Sequence, residues 1–442
     1  MTGDLRIDRA HHTLRGCFFL LAAACMVCLS AACGRTGPPP ESSASSEPPP
    51  GPLFAAEPTI RVGVALGDSA IAIGGAGRWW IRENGGGRPI AVVENGSAWR
   101  IVRLPFESAL RVARSDGYLS QPHAGSLMAA PLGAAPIELA GKAYAGSFEI
   151  MLRPDGTLTA VNVVPLETYL EGVVPKELGR PGPEAGEALR AQAVAARTYA
   201  LKRLGSRAAL GFDVYGSVLD QAYGGLPDRE DSLAVRAVRA TRGEALLYNG
   251  YLIDAYYHST CGGHTAHVEL VFDDPPAPYL TVVSDERPNG EYWCQESKYF
   301  RWTVTFNETE LQATIARNLP SIVPLPPDGV GEVRDVTILR STPEGRALSV
   351  AVTTSTGLYH VSENPIRALF ADAEGRLLRS TLFLMRPTRE GGRLVSLTLV
   401  GGGWGHGVGM CQVGALARAG AGQGYGQILA TYYPGAALAR LY

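Results

Sequence analysis

The chain has 442 residues, 46% of them hydrophobic, and a formal net charge of −2. That length suits one large or two medium domains, and the charge, with no long run of Lys and Arg, argues against the basic patch that phosphate contacts with nucleic acid require. An uncharged polymer is the partner that this balance points to, and frequent Gly (53) and Pro (31) favour turns and short strands over long helices.

The N-terminus reads as an export signal. Arg6, Arg9 and Arg15 precede an uncharged apolar run from Cys17 to Ala32, too short to span a bilayer and ending in small residues. Ser30-Ala31-Ala32-Cys33 resembles a lipobox whose cysteine would carry a lipid, although Leu29 stands one position too early; plain cleavage near Ala32 is the alternative. From Gly34 to about residue 57 the sequence is Pro/Ser-rich, without apolar periodicity, and reads as a linker rising about 3.1 Å per residue where proline-rich.

From Thr59 the pattern alternates, as in Ile60-Arg-Val-Gly-Val-Ala-Leu, with turns at Asn84-Gly85 and Asn95-Gly96, and predicts a meander of short strands. Further strands are predicted at Gly146–Leu152 and, past the turn Pro154-Asp155-Gly156, at Leu158–Val164. Glu184 to Leu204 then carries Leu189, Ala193, Ala196, Ala200 and Leu204 at helical spacing behind Pro181 and Pro183. A second helix is predicted from a cap at Asp231 or Ser232 to Thr241, stopped by Gly243. Strand patterns return at Ala245–Tyr248, at Tyr251–Tyr257 and between Val333 and Leu399. The end is glycine-rich, then helical from about Gln412, with a short terminal helix before Pro434-Gly435. The fold class is therefore α+β: a strand-rich N-terminal part, a helical catalytic insert, further strands and a Gly-rich C-terminal segment with short helices.

Four segments carry chemistry-bearing motifs: Val164–Leu178 (VPLETYLEGVVPKEL), Glu187–Leu201 (EALRAQAVAARTYAL), Tyr257–Thr265 (YHSTCGGHT) and Gly403–Ala415 (GWGHGVGMCQVGA). Together and in this order they resemble the stage II sporulation protein D / amidase enhancer (SpoIID/LytB) family over residues 58–442, with the core motif segment at about 158–270. The resemblance implies a peptidoglycan-directed protein in the cell envelope, either in the periplasm or on the outer face of the cytoplasmic membrane. Best-understood members are lytic transglycosylases that cut peptide-stripped glycan strands; the family also permits a non-catalytic glycan binder that stimulates an amidase partner.

Glu177 matches the family's catalytic glutamate and is expected to follow a strand and precede the Ala-rich helix, with Tyr169, Val173, Val174 and Leu178 as apolar walls. One carboxyl in such a cleft can serve as general acid and then as base. Glu167 and Glu171 are the acids that could supply a hydrolase's second carboxylate, about 5–10 Å from the first; their setting reads as structural or rim. The resemblance further implies substrate contacts by Tyr169, Gln192, Arg197, Gln221 and Tyr223, and by His258, Ser259, His406 and Gln412. Arg197 could equally pair with one of the acids, and Gln192 could belong to a packed stripe.

Cys261, His264 and Cys294 raise zinc ligation; a Cys261–Cys294 disulfide, natural in an exported chain, is the preferred reading, and no cofactor is expected. Family members that bind zinc do so just before a Gln-Ala-Tyr-like segment, and here Asp213–Tyr223 contains neither Cys nor His. Cys411 stands where the family commonly has Ser. A Cys–His hydrolase with His406 or His258 is one reading of it, and a buried inert thiol the preferred one.

Overall fold

The structure is a computed structural model and describes residues 53–94, 98–227, 232–272 and 274–442. The signal segment, Cys33 and residues 34–52 of the linker lie outside the described residues. Among the described residues no helix is long and apolar enough to cross a membrane.

The alternating N-terminal pattern folds into two sheets. One has seven strands in the order Val214–Tyr215, Thr59–Asp68, Leu158–Pro165, Ser147–Leu152, Leu127–Pro131, Trp79–Glu83 and Ala91–Val93. Its central antiparallel pair sets Ile60 opposite Val164 and Val62 opposite Asn162. Because side chains alternate between faces, Ile60 and Val62 are both buried in one core. A five-stranded sheet, centred on Ala70–Gly74, closes the other side of that core.

Helix α1 (Leu166–Leu178) starts where Pro165 ends the second central strand. Leu166, Leu170 and Val173 recur at four- and three-residue intervals, which aligns them on one buried face. Gly172 lies on another face, where an added Cβ would sit 2.1 Å from the Gly225 carbonyl; only glycine allows that approach. Helix α2 (Gly186–Lys202) is buried nearly all round. Helix α3 (Leu233–Ala240) is capped by Ser232, whose Oγ accepts from the Val235 N–H.

Residues 302–401 build a separate core from two three-stranded antiparallel sheets, helix α4 (Glu308–Asn318) and helix α5 (Pro365–Leu369). Asn307 and Glu310 form a capping box on α4. The glycine-rich stretch then brings the chain back, and Met410–Cys411 pairs in parallel with Tyr257–His258, with His258 opposite Cys411. Helices α6 (Gln412–Gly420) and α7 (Tyr425–Tyr432) follow.

Helix α2 is the hinge of this arrangement. Leu189, Ala193, Ala196 and Ala200 pack into the first core, while Ala188, Ala191, Val194 and Ala195 pack into a second one built with α6 and α7. Alanine is a strong helix former with little bulk, so one helix can be approached closely from both sides. The site forms where α1, α2 and the returning chain meet.

Candidate active site

Glu177 follows the strand Leu158–Pro165 and precedes the Ala-rich α2, as expected, but it sits in the last turn of a helix of its own, α1. Pro175 falls near the end of the helix, where it leaves the apolar spacing of Leu166, Leu170 and Val173 intact. At about 100° per residue Glu177 continues the stripe of Leu166, Leu170 and Val173. The carboxylate is thus placed on the core face of its helix and near the negative end of the helix dipole.

Burial pushes the Glu177 carboxyl above its ordinary value; hydrogen bonds from the Ala222 N–H, Gln412 and Tyr257 pull part of the way back. The Ala222 N–H donates to Oε1 at 2.7 Å, and Gln412 Nε2 stands 3.5 Å from Oε2. Behind these partners runs a directed chain. Tyr169 donates its hydroxyl to Gln221 Oε1 (3.1 Å), Gln221 Nε2 donates to the Tyr257 hydroxyl (2.9 Å) and to the Ala196 carbonyl (3.2 Å), and the Tyr257 hydroxyl helps to hold the Glu177 carboxyl down. Gln221 is fully buried with both ends of its amide satisfied, so the loop carrying Ala222 is held from one residue away.

The Gly-Trp-Gly-His-Gly segment supports the same point. His406 Nδ1 accepts from the Val408 N–H (3.1 Å), which leaves Nε2 to donate to the Tyr257 carbonyl (2.9 Å). Burial pushes His406 down to about 3, so the ring is a neutral strut rather than a titrating base. His258 packs against it, ring centroids 5.5 Å apart, and its Nδ1 meets the Val408 carbonyl at 3.1 Å. Gln192 Oε1 accepts from Gln412 at 3.4 Å. Gln192 Nε2 and His258 Nε2 are buried without a protein partner. Ser259 is half-buried beside Thr260.

The structure therefore brings Gln192, Gln412, Gln221, Tyr169, His258 and His406 around Glu177, mostly as buried supports. Two expected contacts are not part of it. Tyr223 donates to Asn162 Oδ1 at 2.8 Å and packs on Tyr169 and Tyr144 inside the core. Arg197 has no exposed surface. Its Nε and Nη2 clasp Glu167 at 2.9 and 2.7 Å, and its remaining bonds go to Glu244, Val238 and Thr241. Burial would raise Glu167, but Arg197 outweighs it and, with Tyr442 and the Gly243 N–H, holds the carboxyl below its ordinary value. Ten residues of helix put Glu167 about 15 Å along the axis from Glu177. Glu171 is clasped by Arg239 (2.7 Å). Tyr257 and the Ala222 N–H were missed in the sequence; the first adjoins the His258 motif, and a backbone donor has no sequence signal.

A cleft of about 560 Å³ lies on the opposite side of α1, lined by Gly172, Pro175, Lys176 and Gly179 with residues of α3. Glu177 does not line it.

Cys261 and Cys294 are free thiols with Sγ atoms 3.4 Å apart, where the sequence favoured a disulfide. Cys411 is fully buried. His406, with both ring nitrogens bound to backbone, is no base for it. His264 Nδ1 engages the Thr265 carbonyl.

Residues 154–248 match the family described as stage II sporulation protein, and residues 287–409 match a domain of unknown function. The chain belongs to the stage II sporulation protein D family. It is 30% identical over 291 residues to stage II sporulation protein D of Bacillus subtilis, covering 62% of this chain and 75% of that one. An uncharacterized protein of Brachyspira hyodysenteriae is 32% identical over 298 residues, 67% of this chain and 72% of its own. The amidase enhancer of Bacillus subtilis is 30% identical over 296 residues, 61% of this chain but only 40% of the enhancer.

Proposed function

We propose that this protein is an exported, envelope-associated lytic transglycosylase acting on peptidoglycan glycan strands. The observation that carries the reading is Glu177: a single carboxyl on a core-facing helix stripe, raised by burial, while Glu167 and Glu171 are each committed to an arginine. Protonated, Glu177 gives its proton to the glycosidic oxygen between N-acetylmuramic acid and N-acetylglucosamine, and the bond from that oxygen to muramic C1 breaks. The muramic C6 hydroxyl attacks C1 and passes its proton back to Glu177. The product is a 1,6-anhydro end, the enzyme recovers its proton, and no water is consumed. Ala222 holds Oε1, which leaves Oε2 to carry the proton. The family likeness and the stage II sporulation protein D and amidase enhancer relatives support a cell-wall role.

The test is incubation of the purified protein with peptide-free glycan strands and mass analysis of the fragments. Anhydro-muramic ends that vanish in Glu177→Gln are the expected result. Intact strands under conditions that show binding would replace the enzyme with a glycan-binding amidase enhancer. Reducing ends would replace it with a hydrolase.

A further inference from the structure

Outside the catalytic centre, four side chains converge on one buried point. Cys261 follows the strand Tyr257–His258, Asp285 and Cys294 come from the long loop after it, and Cys411 caps α6. All four are fully buried, and their ligand atoms lie within 4.8 Å of one another. From the geometry we infer that Cys261, Cys294, Cys411 and Asp285 form a tetrahedral structural site for a thiophilic divalent cation, zinc by preference.

The spacing fits. Zinc–sulfur bonds of about 2.3 Å set tetrahedral edges near ~3.8 Å. Here Cys261 Sγ stands 3.4 Å from Cys294 Sγ and 3.4 Å from Asp285 Oδ2. A disulfide would join two of the sulfurs and leave the third thiol and the carboxylate without a shared purpose. The surroundings are those of metal-bound thiolates. The Gly263 N–H points at Cys261 Sγ (3.4 Å), and the Cys261 and Gly414 N–H groups point at Cys411 Sγ (3.2 and 3.4 Å). Asp285 is oriented in the way metal-bound carboxylates are, by a second rank of donors: Tyr432 donates to Oδ1 at 2.6 Å and Arg418 Nη2 stands at 3.4 Å from the same oxygen. That leaves Oδ2 turned toward the sulfurs.

Charge gives an independent argument. Arg346 is buried, its Nη2 donates to the Cys261 carbonyl, and its Nε and Nη1 have no partner. Among the described residues it makes no ion pair. Three thiolates and a carboxylate around a divalent cation carry a net negative charge that this guanidinium offsets; a disulfide carries none. Binding would displace the thiol protons into solution. Because Cys411 immediately precedes Gln412, the ion would also fix the amide that meets Glu177.

The experiment uses the full chain purified without chelator. Plasma mass spectrometry is expected to find about one zinc per chain, lost in Cys411→Ser and lowered in Asp285→Asn. Cobalt(II) added to chelator-stripped protein is expected to give thiolate-to-metal charge transfer and the strong visible bands of a tetrahedral ion. Where a cysteine variant fails to fold, Tyr432→Phe, outside the ligand set, is expected to weaken metal retention by about tenfold or more. Wild-type protein that holds no metal and gives no cobalt spectrum overturns the inference, whether peptide mapping finds a Cys261–Cys294 disulfide or three free thiols. Neither result depends on glycan cleavage, so the site and the activity stand or fall separately.

Discussion

Replacing Glu167 by Gln removes the carboxylate from a deeply buried ion pair at the start of α1, the helix that carries Glu177. Four donors converge on that carboxylate: Arg197 Nε and Nη2, the Tyr442 hydroxyl and the Gly243 N–H. The Arg197 side chain has no exposed surface, so its charge would be left without a counterion. Breaking a buried pair from one side costs about 3–5 kcal/mol, which corresponds to a fall in Tm of roughly 10 °C for a domain of this size. The sign with pH follows from the lowered Glu167 carboxyl: its stabilisation is present above the ordinary carboxylate value and is lost as pH falls through the lowered one. The wild type should therefore lose its advantage over Glu167→Gln in acid. Thermal melts of both proteins at neutral and acid pH measure this. A neutral-pH cost below about 1 kcal/mol, as for a surface pair, would refute the reasoning. The double variant Glu167→Leu, Arg197→Met should recover part of the loss, less the cost of leaving the Tyr442 hydroxyl and the Gly243 N–H without their acceptor, and should keep glycan cleavage per folded molecule, since both side chains are buried.

Other outcomes follow from the same contacts. Glu177→Gln should raise Tm at neutral pH, because a carboxyl raised by burial costs stability once ionised, and the gain should vanish below the ordinary carboxylate value, where both states are protonated. Tyr257→Phe removes a hydroxyl that helps to lower the Glu177 carboxyl, so the alkaline limb of the cleavage-rate profile should move to higher pH; an unmoved limb would contradict that role for Tyr257. Gly172→Ala places a methyl 2.1 Å from the Gly225 carbonyl and 2.7 Å from the Tyr223 ring, and should cost about 1–3 kcal/mol in denaturant melts.

Periodicity made α2, α3 and the first strands legible, since Leu189, Ala193, Ala196 and Ala200 repeat at helical spacing and Ser232 offers a recognisable cap. It failed at α1, where Val173, Val174 and Pro175 favour extended backbone locally and packing against α2 prevails. It also missed α4, despite the Asn307 and Glu310 box. At the site, the motif singled out Glu177 but said nothing of how its neighbours are arranged. Arg197 and Gln221 are polar residues on buried surfaces, and only the fold tells whether such a residue faces substrate or holds the residues that do. Asp285 was invisible because it is 24 residues from Cys261 and 126 from Cys411 in sequence, and only the fold brings the three together.

The most direct measurement of the central claim is cleavage of peptide-free glycan strands in heavy-oxygen water, with the new muramic ends analysed by mass for wild type and Glu177→Gln. Transfer to the C6 hydroxyl predicts anhydro ends without heavy oxygen, formed by the wild type and absent from the variant. Ends carrying heavy oxygen, or anhydro ends that persist in Glu177→Gln, would contradict the account.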